Sequence, residues 1–556
     1  MIPVIANSLW LGACLPEYLR FRRAVTRVED TQAALLQGIV SANADTEFGR
    51  MHGFKSIRSV RDFQSRVPLR NYDAHEPWIT RIAGGETNLL TRQRVRLFEP
   101  SSGSTGASKL VPYTSSLQQQ FRRGIQAWTA DLFLHHPELL TGAAYWSVSP
   151  MATEARYSSG GIPIGFDEDA AYLGGWQQRL VNSVMAVPGA LSKIHDLDTV
   201  RYLTLLFLVS CRNLKLISVW NPAFLSLLME RLPEWGDEIA RDLERGIVSR
   251  TGLELALPRN PRRALDLKAA LRSNTLAERN ARLWPELKVI SCWTDANASA
   301  PSAILQGQFP QSRIQGKGLL ATECFVSFPL VGREGGALAV RSHFFEFLPV
   351  GLSGETESPL LAHELVQGQQ YAVLVTTGGG LYRYQLGDLI EVTGRLHDCP
   401  LIRFLGRQDQ VSDWFGEKLN EAHVAGILRK AFDDHKIAPA FAMLACDISS
   451  APAYVLYIET EAPDLLLNHI AANIEDALCN NFHYRYARQL GQLAPLKTFR
   501  VRNAAATFLE NAIASGQRAG NVKPAALDTR GIWCRRFQGQ FVTQKDWRNQ
   551  KTAITQ

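Results

Sequence analysis

Three short apolar runs constrain the possible folds of this chain more than any other feature. Residues 143–148, 214–219 and 287–293 are flanked by breakers and have the length of strands buried on both faces. Between them lie longer stretches with helical spacing, over residues 203–211, 224–231 and 237–245. Strands that alternate with helices predict an α/β architecture with substantial parallel sheet. Upstream, residues 30–44 carry Ala33, Leu36, Ile39 and Val40 on one helical face. With 556 residues, 46% apolar and 20% charged, the chain has material for several folding units. That balance argues against disorder, collagen, coiled coil and small disulfide scaffold.

The texture changes near residue 336. Strand-like runs at 337–340, 344–348, 371–377, 389–393 and 401–405 follow at short intervals, separated by Gly and Pro. That spacing suits an antiparallel barrel or meander. Beyond about residue 410 the pattern is helix 420–432, strand 453–459, helix 465–478, strand 496–501 and helix 504–514. The expected fold class is therefore α/β. It has a large N-terminal domain of α/β sheets plus a β-barrel-like subdomain, and a small mobile α+β C-terminal domain. The boundary is expected between Arg407 and Glu421, dividing residues 1–410 from 411–556.

Charge and cysteine usage narrow the function classes. A net charge of +7 over 556 residues is a mild bias, so no nucleic-acid partner is expected. The eight cysteines stand far apart, at 14, 211, 292, 324, 399, 446, 479 and 534, with no CxxC pair. They read as reduced, buried thiols in a cytoplasmic protein, not as disulfides or zinc ligands. Residues 2–16 are almost wholly apolar, but the first positive charge, Arg20, comes after them, the reverse of a signal peptide. The run is also shorter than the ~20 residues that span a bilayer. A buried helix with a basic exit at Arg20, Arg22 and Arg23 is expected, and no membrane or obligate protein partner.

The sharpest local signal is Ser101-Ser102-Gly103-Ser104-Thr105-Gly106-Ala107-Ser108-Lys109. Small residues let backbone amides and hydroxyls crowd around phosphate oxygens, and the lysine supplies charge. It is not a Walker A loop: the glycines are three apart and Leu110 follows the lysine. A Ser/Gly linker is the alternative, but the loop leads directly into Val111-Pro112-Tyr113-Thr114 and a helix. Downstream, Thr322-Glu323 places a hydroxyl and a carboxylate after an apolar strand, suited to magnesium or a substrate amine. Tyr382-Arg383-Tyr384-Gln385-Leu386-Gly387-Asp388 ends in a carboxylate able to accept two ribose hydroxyls. A surface Glu and an ordinary turn explain these last two equally well when each is taken alone.

Taken in order, the loop with its lysine, Thr-Glu, Tyr-Arg-x-x-Gly-Asp, and Gly406-Arg407 resemble the firefly-luciferase-type adenylate-forming superfamily. Within it the chain is most similar to the auxin-responsive acyl acid–amido synthetases, the Gretchen Hagen family, and particularly to bacterial members. Asn43-Ala44-Asp45-Thr46-Glu47-Phe48-Gly49, Phe63 with Val67-Pro68-Leu69, and Phe98-Glu99-Pro100 carry the likeness. So do Phe345-Glu346-Phe347-Leu348-Pro349 and Gly416-Glu417-Lys418-Leu419-Asn420-Glu421, so that it spans essentially the whole chain.

The resemblance implies a two-step ligase in which ATP and a small carboxylic acid give an acyl-adenylate, which an amine, usually an amino acid, attacks to form an amide. It implies ATP and Mg2+ as cofactors. Ser101, Ser102, Gly103, Ser104, Thr105, Gly106 and Lys109 would surround the phosphates. Thr322 and Glu323 would lie at the adenylate, with Glu323 on the metal, and Asp388 at the ribose. Arg407 and Lys418 would reach the nucleotide from the hinge, and Lys523, in Gly520-Asn521-Val522-Lys523-Pro524, would enter for adenylation. Arg122 and Arg123, on the helix after the loop, are candidates for the acyl acid, with a solvated helix face as the alternative. His135-His136 receives no role, and His343 with Glu346 reads as structural.

One departure stands out. The family has an aromatic residue four positions before the glutamate, where adenine stacks; here it is Leu319, with Phe325 or Trp293 as candidate substitutes. Two other functions stay open at this point: an acyl-CoA or acyl-carrier ligase using the same adenylation step, and a non-catalytic nucleotide-binding protein.

Overall fold

Each of the three apolar runs forms a strand of one parallel sheet. The strands are β3 (Ala143–Trp146), β6 (Leu214–Ser218), β7 (Val289–Cys292) and β8 (Arg313–Gly316), adjacent in that order. Tyr145 pairs with Ile217, Ile217 with Ile290, and Ile290 with Ile314, all in parallel register. β6 and β7 are buried along their whole length, which explains their predominantly apolar sequence. The helices between them run longer than periodicity suggests because caps extend them. Leu197–Ser210 starts at Asp196, whose carboxylate accepts the Thr199 N–H at 2.7 Å, and Pro222–Glu230 starts at an Asn221-Pro222 cap.

The computed structural model describes residues 2–101, 109–147, 156–165, 181–194, 196–250, 255–350, 358–408, 411–449, 451–515, 517, 522–523 and 525–543. Two compact units emerge. The first comprises residues up to 295 and 305–404; the second comprises 296–304, 405–515 and the described residues from 522 onward.

The first unit holds two further sheets. β1 (Leu97–Ser101) and β2 (Lys109–Tyr113) form an antiparallel hairpin in a four-stranded sheet of order β2-β1-β5-β4, with β4 at Arg156–Tyr157 and β5 at Pro163–Ile164. The third sheet is the expected meander. Its strands are β9 (Ser327–Pro329), β10 (Gly336–Leu338), β11 (Phe344–Pro349), β12 (Leu360–Leu361), β13 (Gln370–Thr376), β14 (Tyr384–Leu396) and β15 (Cys399–Arg407). Their order, β12-β11-β13-β14-β15-β10-β9, has two free ends, so it is a sheet and not a closed barrel. The N-terminal helix, Ile2–Ala24, corrects the expectation of full burial. Trp10, Cys14 and Phe21 are buried, Trp10 edge-on to Phe133 at 5.4 Å, but Val4, Ile5, Leu9 and Leu19 are exposed. No helix among the described residues is long and apolar enough to cross a membrane.

The second unit holds a short hairpin, β16 (Val411–Ser412) with β17 (Leu419–Asn420), and a five-stranded sheet under helices Glu421–Asp434 and Asp464–Leu478. Its core gathers Leu444, Tyr454, Leu456, Ile458, Ile470 and Ile474. β19 (Ala453–Glu459) and β20 (Ala494–Arg502) match expectation, and β18 (Phe441–Asp447) does not appear in the sequence reading. Phe-Ala-Met-Leu-Ala-Cys-Asp contains no β-branched residue, so its propensity is weak, and pairing with β19 along all seven residues makes it a strand. All eight cysteines are free thiols, and burial pushes those of Cys14, Cys292 and Cys399 up to about 12.

A buried ion pair joins the N-terminal segment to the meander. Arg383 and Glu346 are 4% and 1% exposed, and the guanidinium donates to the carboxylate from Nε at 3.0 Å and Nη2 at 2.9 Å. Its remaining nitrogen, Nη1, donates to the carbonyls of Gln64 at 2.8 Å and Val67 at 2.7 Å. Arg383 itself has φ 46°, a strained backbone held by these bonds. Two buried histidines act as neutral acceptors nearby. His343 Nε2 takes the Phe325 N–H at 3.0 Å and His75 Nε2 takes the Tyr382 N–H at 3.3 Å. Burial pushes their pKa down to about 3 and about 4.

Two outcomes follow. Glu346→Gln leaves Arg383 as an uncompensated buried charge and should lower the unfolding free energy of this unit by about 3–5 kcal/mol in urea titration. Both histidine values lie below the ordinary 6.5, so the unfolded chain binds protons that the folded one does not. Stability should therefore be full above pH 6.5 and fall as pH drops toward 4, and His343→Gln should flatten that fall.

Candidate active site

The glycine-rich loop closes the β1–β2 hairpin. Ser101 pairs directly with Lys109, so the seven residues between them span one strand pair. Ser102, Gly103, Ser104, Thr105 and Gly106 lie outside the described residues, as does the Ser101 side chain. Lys109 opens β2 half-buried, with Nζ 5.6 Å from the centroid of the Tyr72 ring. The next N–H, of Leu110, donates to the Tyr72 hydroxyl at 2.8 Å. β2 leads into Thr114, which accepts the Leu117 N–H at 3.1 Å and caps the helix Ser115–His135.

Glu323 sits on a turn tied down at both ends. The Ala321 N–H donates to the Cys324 carbonyl at 3.0 Å, and the next residue, Phe325, is held by His343. The Glu323 side chain is buried, and the Tyr384 hydroxyl donates to Oε1 at 3.3 Å. Thr322 is half-buried beside it. Asp388 is brought in by a bulge. Gln385 pairs with Leu374 and Leu389 with Ala372, so Leu386, Gly387 and Asp388 together oppose Val373 alone. Gly387 absorbs the kink at φ 81°, a left-handed backbone that favours glycine. Asp388 is thereby 2% exposed inside the unit.

The three segments converge. The buried Cys324 thiol is raised well above its usual range, first by burial and then by the charges of Glu323 and Asp388. Tyr72, which binds the Lys109–Leu110 end of β2, is raised first by burial and also by Glu76 and Glu323. Lys109, Glu323 and Asp388 therefore cluster around Tyr72, Tyr384 and Cys324. Sequence reasoning did not single out Tyr72, whose only signal is a lone aromatic at a helix start after Asn71.

Other expected residues fall elsewhere. Arg123 donates to the Arg341 carbonyl at 3.0 Å and burial lowers its pKa, so it serves the packing of the helix Ser115–His135. Arg122 is half-buried on the same helix. Leu319 is buried, and its N–H donates to Ser327 Oγ at 2.9 Å. Phe325 fills the space beside Gly124, edge-on to Phe121 at 6.3 Å, and is a core residue. Trp293 packs on Trp220 at 5.8 Å. In the second unit, Arg407 ends β15, Lys418 is exposed at φ 46° and Lys523 is half-buried after the buried Val522. A cavity of about 490 Å³ runs along β8, lined by Asp295, Arg313, Arg333, Glu334 and Arg403 among others and by none of the expected site residues.

Known proteins share this organisation. The GH3 family N-terminal domain matches residues 18–306, its central domain 336–407 and its C-terminal domain 427–529. The indole-3-acetic acid-amido synthetase GH3.6 of Arabidopsis thaliana is 24% identical over 515 residues, covering 83% of this chain and 82% of that one. The indole-3-acetic acid-amido synthetase GH3.8 of Oryza sativa subsp. indica is 24% identical over 529 residues, covering 87% and 86%. In fold, the chain is similar to the GH3.15 acyl acid amido synthetase, with a TM-score of 0.81, 22% identity and coverage of 95% and 97%. With the three domains matched in order, the chain belongs to the GH3 family.

Proposed function

We propose that the protein is an ATP-dependent acyl acid–amido synthetase, a bacterial member of the family within the adenylate-forming superfamily, working in the cytoplasm. It adenylates a small carboxylic acid and transfers the acyl group to an amine, an amino acid. The observation that carries this reading is the convergence of Lys109, Glu323 and Asp388 on Tyr72, Tyr384 and Cys324.

In the first step a carboxylate oxygen of the acid attacks the α-phosphorus of ATP, and the bond to the bridging oxygen breaks to release pyrophosphate. Residues 101–106 and Lys109 bind the phosphates, and the lysine offsets the charge that builds on the leaving group. Asp388 accepts the ribose hydroxyls, and Thr322 hydrogen-bonds the adenylate. Glu323, a buried carboxylate oriented by Tyr384, suits magnesium, which is held through one or two carboxylates together with substrate phosphates. When bound, magnesium screens the triphosphate.

In the second step the amine nitrogen attacks the acyl carbon, AMP leaves with the electron pair, and the ammonium proton passes to solvent. Residues 1–410 form the nucleotide- and acid-binding body and 411–556 a lid. Arg407 and Lys418 supply cations near the hinge, Lys523 supplies one for adenylation, and Arg122 lines the acid's approach.

Acid-dependent exchange of labelled pyrophosphate into ATP tests the reading. The wild type should exchange, and Lys109→Ala and Asp388→Ala should each lose at least about 100-fold, the scale of removing one transition-state charge contact. Absence of exchange with a broad acid panel, or undiminished exchange in both variants, would refute it.

A further inference from the structure

The helix Ile2–Ala24 carries an apolar face that the described residues leave uncovered. Its packed side is fixed. Ala6, Trp10, Cys14, Tyr18 and Phe21 are buried at helical spacing, and the Asn7 amide donates to the carbonyls of Leu139 at 3.3 Å and Gly142 at 3.0 Å. Tyr18 donates its hydroxyl to Asp131 Oδ1 at 3.1 Å, on the helix Ser115–His135. These bonds set the rotation of the helix, so its opposite side cannot turn inward. On that side Val4, Ile5, Leu9 and Leu19 are exposed, Ile5 and Leu9 by 60% and 55%. Ile5, Leu9, Gly12, Pro16 and Leu19 stand three or four residues apart and form one straight stripe along the helix.

Charge completes the pattern. Arg20, Arg22 and Arg23 are exposed at the end of the same helix. Glu17, the only acid of the helix, is buried, accepts from Arg341 Nε at 2.6 Å and approaches only Arg20 of the three, at 3.6 Å. A helix that is apolar on all sides belongs in a core or against lipid, and only one side of this one has a core. Exposed aliphatic residues that end in arginines suit an anionic bilayer surface. The aliphatics enter the acyl boundary, and the guanidiniums meet headgroup phosphates. A second copy of the chain fits less well. Across a two-fold axis, antiparallel helices would set the arginines on the partner's apolar end, and parallel helices would set them against each other.

We propose that this face of the helix docks on an anionic lipid surface, with Val4, Ile5 and Leu9 below the headgroups and Arg20, Arg22 and Arg23 among them. The helix lies along the bilayer, because Asn7 and Tyr18 hold its other side to the protein. The contact revises the expectation from sequence that the chain meets no membrane, and it stands whether or not the chain is a ligase.

Co-sedimentation of the full chain with lipid vesicles tests this. Vesicles of phosphatidylcholine with phosphatidylglycerol should bind it at least about tenfold more tightly than phosphatidylcholine alone. About 1 M salt, with a Debye length of about 3 Å, should abolish that difference. Leu9→Asp should weaken binding to the mixed vesicles at least about tenfold. Arg22→Gln combined with Arg23→Gln should bring it close to the level of neutral vesicles. Both variants should unfold within about 2 °C of the wild type, since the replaced side chains face solvent. No binding to the mixed vesicles, or binding unchanged in both variants, would overturn the assignment. So would a wild-type dimer in light scattering that Leu9→Asp dissociates, without vesicle binding, which would give the face to a second copy.

Discussion

The position of Arg383 conditions the geometry of the candidate active site. A guanidinium this deeply buried is tolerable only when its nitrogens are matched, and here Glu346 and two carbonyls of the 64–67 segment bond all three. The residues on either side inherit that placement. Tyr382 stacks on Phe48 at 4.7 Å and donates its hydroxyl to the Leu90 carbonyl at 2.7 Å. Tyr384 points its hydroxyl at Glu323, and four residues later the Gly387 bulge turns Asp388 inward. The pair thus helps to place Tyr384, the partner of Glu323, and the strand that carries Asp388.

The first unit divides the work between two kinds of sheet. The antiparallel meander supplies carboxylates, because a bulge and a turn are the places where an antiparallel ladder can aim a side chain inward. The parallel sheet supplies an edge. Its strands β6 and β7 are buried along their whole length, so side chains that can meet a ligand stand just beyond the carboxyl ends. The hairpin that carries the glycine-rich loop connects to both through Tyr72 and the helix Ser115–His135.

Much of this was legible in the amino-acid sequence. Buried strands such as residues 214–219 and 287–293 announce themselves by predominantly apolar composition, and the Gly/Pro punctuation after residue 336 announces a meander. The likeness to acyl acid–amido synthetases rested on short motifs in a fixed order, and the family match bears it out. The structure also gives some of those motifs a different reason from catalysis. Glu346 in Phe-Glu-Phe and Val67 in Val-Pro-Leu are partners of Arg383. What stayed hidden depends on long-range placement. β18 lacks β-branched residues, Tyr72 is a lone aromatic, and Arg123 is spent on a distant carbonyl.

The central claim is that acid activation by ATP ends in an amide. The most direct measurement is mass spectrometry of products after incubation with ATP, magnesium, a panel of small carboxylic acids, the twenty amino acids and coenzyme A together. An N-acyl amino acid formed with one AMP per amide is the predicted result. An acyl-CoA thioester as the accumulating product, or no AMP at all across the acid panel, would contradict it.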